Sequence, residues 1–446
     1  MATNRRSFIK YASLAAAGNA AGLRPFGMLN SLAQTTSNYK ALVCVFLFGG
    51  NDANNTLIQF DTAGYANYST IRGPLAIPQS QLLQLANAPN FALNPNLPDV
   101  QALFNSKNAA FVANVGTLLQ PTTRAQYLAG STVPTNLFSH TDQQLEWQNA
   151  AQSGATSSGW AGRIADLISG QYNPSAQIPM ITSVAGDTLF CNGSSSTPVS
   201  VSPGNLGGAT CSEGTTECAA QQATAQALLN FSSGVSLITA DNSITNNAYN
   251  YAATLSAAVQ SVSPLQTVFP ANNSLAAQLK QIAQIIQVRA ALGVSRQIFF
   301  ASVGNFDTHS DQLPLQGALL AAISPALNSF YQATQELGVQ NNVTTFTMSD
   351  FSRTFQPNSN TGSDHAWGSH HIVLGGAVNG GQIYGKFPTL ALAGPDDSGS
   401  NGRWVPSTST VQYASTLAQW FGVSVAQLPQ VFPNIGAFST NNLGFV

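Results

Sequence analysis

The sequence predicts an α/β fold with a mostly parallel central sheet, helices on both faces of the sheet and a long polar insertion. Short, continuous apolar runs recur along the chain, and segments with helical periodicity lie between them. Such runs are typical of strands that are buried on both faces, and their alternation with helices is typical of a parallel sheet. Polar residues directly follow several runs, as expected at the sheet edge where ligands bind in such folds.

The elements follow from these patterns in chain order. Strands are predicted at residues 41–48, 109–115, 180–184, 297–303, 343–348 and 372–374. Helices are predicted at residues 143–151, 160–168, 219–229, 274–292, 317–337 and 411–421. The Gly/Ser/Thr-rich stretch at about residues 192–216 predicts a surface insertion within one domain that spans residues 34–446.

The composition limits the classes of partner. Charged residues make up only 7% of the chain, far below the usual value of about 25%, and the net charge is −2. Binding to a phosphate backbone needs clustered Lys and Arg, so the sequence argues against a nucleic-acid partner. Apart from the amino terminus, no apolar run reaches the roughly 18 residues of a membrane span, and none is predicted.

The amino terminus has the pattern of an export signal. Arg5 and Arg6 precede a short apolar run at residues 11–23, and small residues follow at residues 31–33. Paired arginines before such a run are typical of a twin-arginine signal, here predicted over residues 1–33. The protein is therefore expected in the periplasm or outside the cell. The alternative is a chance basic start on a helix.

The four cysteines give two interpretations. Cys44 lies inside an apolar run and is predicted to be a buried thiol. The other three lie in or near the polar insertion, where an oxidising compartment allows Cys211 to pair with Cys218 or Cys191 with Cys211.

All the histidines lie in short segments that also carry an acid, an amide or a hydroxyl. They are His140, His309, His365, His370 and His371. The chain has only 17 acidic residues, so this clustering is informative. Imidazole and carboxylate groups at close spacing suit a zinc, manganese or iron ion.

Two segments carry a polar residue beside a strand or at the start of a helix. Asp52 follows the first strand and is either a cation ligand or the cap of a helix or turn. Ser139 opens a helix, where backbone N–H groups favour an anion, and is either a nucleophile or a helix cap. Asn55 is a candidate hydrogen-bond donor to a bound anion.

Two later segments carry the strongest ligand patterns. Asp307 and His309 share one face of an extended chain and can chelate one metal, or they bond to each other. Asp364 and His365 are adjacent in a Gly-containing loop and form a mixed oxygen and nitrogen ligand set with His370, or a hydrogen-bonded loop.

Arg353 lies between these two segments. Its planar guanidinium can bind a tetrahedral anion, or it forms a structural salt bridge.

These motifs in this order resemble a family of exported bacterial proteins known only as a domain of unknown function. They are Gly-Gly-x-Asp-x-x-Asn-Thr at residues 49–56, Ser-His at 139–140, Asp-Thr-His at 307–309, Asp-Phe-x-Arg-Thr at 350–354 and Asp-His at 364–365, followed by Gly-Gly-x-x-x-Gly-Gly at 375–381. The resemblance covers residues 42 to about 423. The motif order is also similar to that of the alkaline phosphatase/sulfatase superfamily, which implies an alkaline-phosphatase-like fold.

The resemblance also implies roles for individual residues. Ser139 would be the nucleophile, beside one or two divalent cations such as zinc or manganese. One cation would be held by Asp52, Asp364 and His365, and the other by Asp307, His309 and His370. The spacing of Asp307 and His309 differs from that in phosphatases, and Asp311 is an alternative ligand. No Cys/Ser-x-Pro-x-Arg sulfatase context occurs in the chain.

The sequence thus supports two hypotheses about function. The first is an exported metal-dependent hydrolase of phosphate or sulfate esters, acting on a small anionic ester or a glycan-linked substrate. The second is a non-catalytic envelope or secreted binding protein on the same fold.

Overall fold

The computed structural model describes residues 38–150, 157–204, 206, 216–231 and 234–446. The predicted export signal, Cys211 and part of the predicted insertion lie outside the described residues. Every element below belongs to the compact unit Lys40–Val446.

Twelve strands occur in the described residues. They are β1 Lys40–Leu47, β2 Leu57–Gln59, β3 Leu83–Leu85, β4 Ala88–Leu93, β5 Ala109–Gly116, β6 Ile181–Ser183, β7 Val199–Ser200, β8 Arg296–Val303, β9 Val343–Ser349, β10 Ser369–Leu374, β11 Ile383–Tyr384 and β12 Thr408–Ser409.

Eleven α-helices lie between or after these strands in the same residues. They are α1 Thr62–Arg72, α2 Pro98–Asn105, α3 Arg124–Leu128, α4 His140–Asn149, α5 Trp160–Tyr172, α6 Thr216–Leu229, α7 Ser236–Gln260, α8 Ser274–Gln287, α9 Gln312–Glu336, α10 Thr410–Phe421 and α11 Leu428–Val431.

Nine strands form one mixed, mostly parallel sheet in the order β11-β5-β10-β9-β1-β8-β6-β7, with β12 also paired to β5. Strand β1 is parallel to both β8 and β9, and β6 is parallel to both β8 and β7. Only β10 runs antiparallel to its neighbours, β5 and β9. Strands β2, β4 and β3 form a separate antiparallel sheet.

Strand β1 is buried from Ala41 to Leu47 because helices cover both faces of the sheet. Leu42, Cys44 and Phe46 pack in one core cluster with residues of α5 and α10. The alternate residues of β1 point to the opposite face, where α8 packs against the neighbouring strand β8. The predicted fold class, an α/β protein with a mostly parallel central sheet, is confirmed.

The described cysteines exclude one of the predicted disulfides. Cys44 and Cys191 are buried free thiols, so the pairing of Cys191 with Cys211 is wrong. Cys218 is disulfide-bonded. Burial raises the pKa of both free thiols, which keeps them protonated within the core.

Within the described part of the chain, no helix combines the length and the apolar character needed to cross a membrane.

Candidate metal centre

The carboxyl ends of three adjacent strands deliver a backbone N–H group and two carboxylates to one edge of the sheet. Gly49 follows β1, Asp307 follows β8, and Asp350 follows β9 directly. His140 reaches the same place as the first residue of α4, and His365 reaches it from the loop before β10. This edge is where open α/β sheets commonly bind ligands.

One carboxylate oxygen lies among three imidazole nitrogens. Asp307 Oδ1 is 3.3 Å from Nε2 of His140, 3.1 Å from Nε2 of His309 and 3.4 Å from Nε2 of His365. The Nε2 atoms of His309 and His365 are 2.9 Å apart. Three nitrogens and one oxygen therefore converge from three separate chain segments.

The other nitrogen of each ring contacts an oxygen. Nδ1 of His140 is 2.7 Å from Asp350 Oδ2, Nδ1 of His309 is 3.2 Å from Asp364 Oδ1, and Nδ1 of His365 is 2.7 Å from the Phe138 carbonyl. A carbonyl or carboxylate oxygen accepts only from a protonated Nδ1, so these contacts assign the proton of each neutral ring to Nδ1. Each Nε2 lone pair is then available to the centre, which is the arrangement found in metal-binding histidines.

The Asp350 carboxylate is fully buried and held by more than His140. It accepts hydrogen bonds from the Gly49 N–H at 3.2 Å and from Gln144 Nε2 at 2.9 Å. The hydrogen bond with Asp350 raises the pKa of His140, although burial acts in the opposite direction.

Arg353 is fully buried directly behind Asp307. Its guanidinium donates to the carbonyls of Gly50 at 3.0 Å, Ser363 at 2.9 Å and Gly49 at 2.5 Å, and to Asp307 Oδ1. Burial raises the pKa of Asp307, but hydrogen bonding and charge from Arg353 outweigh it and lower the pKa to about 2. Asp307 is therefore an ionised carboxylate at neutral pH.

His365 is the most enclosed of the three imidazoles. Burial lowers its pKa, and the positive charge of Arg353 acts in the same direction. A neutral ring is the form that binds a metal.

The donor set fits a divalent transition metal. For zinc at about 2.0–2.1 Å from each ligand, the edges of a tetrahedron measure about 3.3–3.4 Å. Four of the six edges of the set measure 2.9 to 3.4 Å, close to that value. The ligand atoms of His140, Asp307 and His365 all lie within 4.8 Å of one another. In addition, Nε2 of His140 is buried without a hydrogen-bond partner, as expected for a ligand atom.

The structure brings together four of the residues that the sequence singled out as ligands. Asp307, His309 and His365 contribute atoms to the centre, whereas Asp364 contacts the far nitrogen of His309. The side chains of Asp307 and His309 are 47% and 44% exposed, so one side of the centre is open to solvent.

Asp52, predicted to be a ligand, lies elsewhere. Its fully buried carboxylate forms an ion pair with Arg72, accepts from Gln312 and caps the turn at Asn54. The alternative interpretation, a cap, describes this geometry. Because buried charges need partners, Asp52 is committed to Arg72.

His370 and Asn55 also contact other groups than the centre. Nδ1 of His370 accepts from the Asn114 N–H at 3.0 Å, and burial lowers its pKa to about 4. Asn55 donates to the Leu75 carbonyl and accepts from the Tyr68 hydroxyl.

Ser139 and Arg353 make the contacts of their second interpretations, a helix cap and a salt bridge. Ser139 caps α4, and its Oγ accepts a long hydrogen bond of 3.5 Å from the Asp142 N–H. Arg353 forms the ion pair with Asp307 rather than facing open space for an anion. Asp311, the alternative ligand, precedes α9 in a left-handed conformation.

The sequence interpretation missed two residues of the centre. His140 was considered only as part of the Ser-His segment, although its position at a helix start beside scarce acids was a usable signal. Asp350 opens the Asp-Phe-x-Arg-Thr motif just after a predicted strand, but no role followed from this, because its partners Gly49 and His140 lie 301 and 210 residues away in the sequence.

The fold and this site define an α/β protein with a candidate histidine–aspartate metal centre at the edge of its sheet. The chain belongs to the family described as "Protein of unknown function (DUF1501)", whose model matches residues 39–400. No curated protein matches the sequence.

Several solved structures are similar to the chain at low sequence identity. The PsFucS1 sulfatase from Pseudoalteromonas sp. is 8% identical with a TM-score of 0.37, covering 92% of this chain and 74% of the sulfatase. A protein of the alkaline phosphatase superfamily from Vibrio parahaemolyticus is 10% identical with a TM-score of 0.36, covering 86% and 67%. The lipoteichoic acid synthase LtaP from Listeria monocytogenes is 11% identical with a TM-score of 0.31, covering 78% and 68%.

Proposed function

We propose that the protein is an exported, metal-dependent hydrolase of phosphate or sulfate esters. The observation that carries this proposal is the convergence of three Nε2 atoms on Asp307 Oδ1. His140, His309, His365 and Asp307 would hold the cation. When bound, a divalent cation polarises the ester and stabilises negative charge on its oxygens.

Neighbouring residues orient the four proposed ligands. Asp350, Asp364 and the Phe138 carbonyl orient the three rings, and Arg353 holds Asp307 ionised and in place. The exposed side of Asp307 and His309 gives a substrate access to the centre.

In this proposal Ser139 is the nucleophile. It directly precedes His140, and the long hydrogen bond to its Oγ holds the hydroxyl only weakly. At the start of α4, backbone N–H groups favour an anion, so negative charge on an ester is stabilised there.

Metal analysis combined with hydrolysis of aryl phosphates and aryl sulfates tests the proposal. We expect stoichiometric metal in the native protein, and loss of both metal and hydrolysis in His365→Ala. Ser139→Ala should keep the metal and lose at least about 100-fold in kcat, as expected for a nucleophile. Asp241→Ala, an exposed acid of α7, is the control. A metal-free, inactive native protein would refute the proposal.

One observation favours the second candidate function, a non-catalytic exported binding protein. If His309 joins His140, His365 and Asp307 on the cation, four protein ligands would complete a tetrahedral site, and closed sites are typical of structural metals. In that case chelation lowers the thermal stability of the protein, and no ester is hydrolysed before or after chelation.

Export is part of the same proposal and has its own test. Arg5→Lys combined with Arg6→Lys should abolish twin-arginine export and leave the protein in the cytoplasmic fraction. Unchanged fractionation of this variant would refute that route.

A further inference from the structure

A groove lies on the surface between residues 121–126 and residues 395–407. Its main cavity has a volume of about 520 Å³. A second depression of about 360 Å³ shares Thr122, Thr123 and Pro406 with it, so the two are continuous. A groove of this size accommodates several sugar units or a similar extended ligand.

The groove is positively charged in a chain that has very few cations. Arg124 and Lys386 both line it, and no carboxylate lies within ion-pair distance of either among the described residues. Asp396 also lines the groove, and its carboxylate accepts the Thr389 N–H. Two cations and one acid leave a formal charge of +1 in the groove.

The other lining groups suit a carbohydrate. The hydroxyls of Thr122, Thr123 and Ser407 donate to oxygens of Gln120, Gln126 and Lys386, which leaves them as acceptors for a ligand's hydroxyls. Val405 and Pro406 offer apolar surface. Hydroxyls bond to sugar hydroxyls, and apolar surface packs against the C–H face of a ring.

A short series of direct contacts joins the groove to the metal centre. Arg124 Nε donates to the Asp397 carbonyl at 2.6 Å, and Asp397 Oδ1 accepts the Arg403 N–H at 3.0 Å. Arg403 Nε then donates to the His365 carbonyl at 2.9 Å. The wall of the groove is therefore bonded to a residue that holds the proposed cation.

We propose that this groove binds a further anionic group of a polyanionic glycan, a sulfated or phosphorylated oligosaccharide with one ester at the metal centre. The glycan chain would lie along the hydroxyl and apolar lining, with its second sulfate or phosphate between Arg124 and Lys386. That one glycan reaches both the groove and the metal centre rests on the proposed hydrolase function. The anion site in the groove does not depend on that function.

The test measures binding of dextran sulfate and dextran phosphate oligosaccharides by calorimetry, with chelator present so that no cation contributes. Lys386→Gln is expected to weaken binding about three- to fivefold. The double variant with Arg124→Gln is expected to weaken it more than tenfold, because the half-buried Arg124 and the exposed Lys386 each contribute modestly. The two probes distinguish a sulfate from a phosphate preference.

Lys280→Gln is the matched control, because Lys280 is an exposed lysine of α8 outside the groove. It should leave binding unchanged, and neutral dextran should not bind. Equal losses in Lys280→Gln and Lys386→Gln would overturn the proposal, as would binding of neutral dextran with equal affinity. Glycan binding by a protein that hydrolyses no ester would refute the hydrolase and leave the groove assignment standing.

Discussion

At the residue scale, the site depends on which nitrogen of each imidazole carries the proton. Phe138, Asp350 and Asp364 each place an oxygen beside Nδ1 of a different histidine. As a result, three Nε2 lone pairs point toward Asp307 Oδ1, and each ring depends on its own oxygen partner for this orientation. The residues that orient the rings are therefore as important to the site as the ligands.

Replacing Asp364 tests this orientation. Asp364→Ala removes the acceptor for Nδ1 of His309 while leaving all four proposed ligands in place. We expect metal affinity to fall about 10- to 100-fold in this variant. The loss should be smaller in Asp364→Asn, because the amide oxygen can still accept a hydrogen bond from Nδ1 of His309. Competition titration with a chromogenic chelator measures the change. Unaltered affinity in Asp364→Ala would contradict this role.

Replacing Asp52 separates a ligand from a structural ion pair. In Asp52→Ala the guanidinium of Arg72 stays buried without its carboxylate, which should cost about 3–5 kcal/mol of unfolding free energy. The metal content should stay the same, because Asp52 has no contact with the centre. Denaturant unfolding and metal analysis of the same sample distinguish the two roles. Loss of the metal with unchanged stability would show that Asp52 is a ligand.

Local spacing explains which site residues could be predicted from the sequence. Asp307 with His309, and Asp364 with His365, are neighbours in the chain, so their clustering is visible without a fold. The contacts of Asp52 could not be predicted, because Gln312, one of its partners, lies 260 residues away. A buried acid after a strand has the same local sequence whether it binds a metal or an arginine.

At the element scale, the strands that build the site were predicted well. β1, β8 and β9 begin and end within one residue of the predictions, because continuous apolar runs reveal buried parallel strands. Helix α7 was missed over all its 25 residues. Only Ala252 and Leu255 of α7 are buried, so it has no clear apolar stripe.

A substitution in the turn after β1 tests how closely this turn approaches the loop that carries Asp307. Gly49 has φ of +110°, and a Cβ there would lie 2.5 Å from the backbone nitrogen of Asp307. Gly49→Ala should therefore displace Asp307, weakening metal binding at least tenfold and lowering the unfolding free energy by about 1–3 kcal/mol. Gly304→Ala is the matched control, because a methyl group at Gly304 would have no neighbouring atom within 4 Å. Equal behaviour of the two variants would contradict this packing.

At the scale of the whole molecule, the centre joins parts of the chain that are far apart in sequence. Its ligands and their partners come from residues 138–140, 307–309, 350–353 and 364–365, all at one edge of the main sheet. Their convergence follows from the parallel order of β8, β1 and β9, which local sequence patterns do not specify. A bound cation would link all of these segments and so stabilise the folded chain.

The stability of the whole molecule should also depend on two histidines that lie outside the centre. Burial lowers the pKa of His371 to about 3 and that of His370 to about 4. In the unfolded chain both titrate near about 6.5, so below that pH the unfolded state binds protons that the folded state does not. The unfolding free energy should therefore fall as pH falls from about 6.5 toward 4, by at most about 1.4 kcal/mol per pH unit for each histidine.

His371→Phe isolates one of these contributions. Nε2 of His371 is buried without a hydrogen-bond partner, and Nδ1 has one long contact of 3.4 Å with the Thr347 hydroxyl. The ring packs against Trp147 and Tyr413, so an apolar ring loses little at this position. In chelator, denaturant unfolding between about pH 4 and pH 6 should give a slope about 1.4 kcal/mol per pH unit smaller than in the native chain. The histidines of the metal centre titrate equally in both proteins and cancel from the difference. An identical slope would mean that His371 accepts its proton in the folded core, and the burial that lowers its pKa would then be the wrong description.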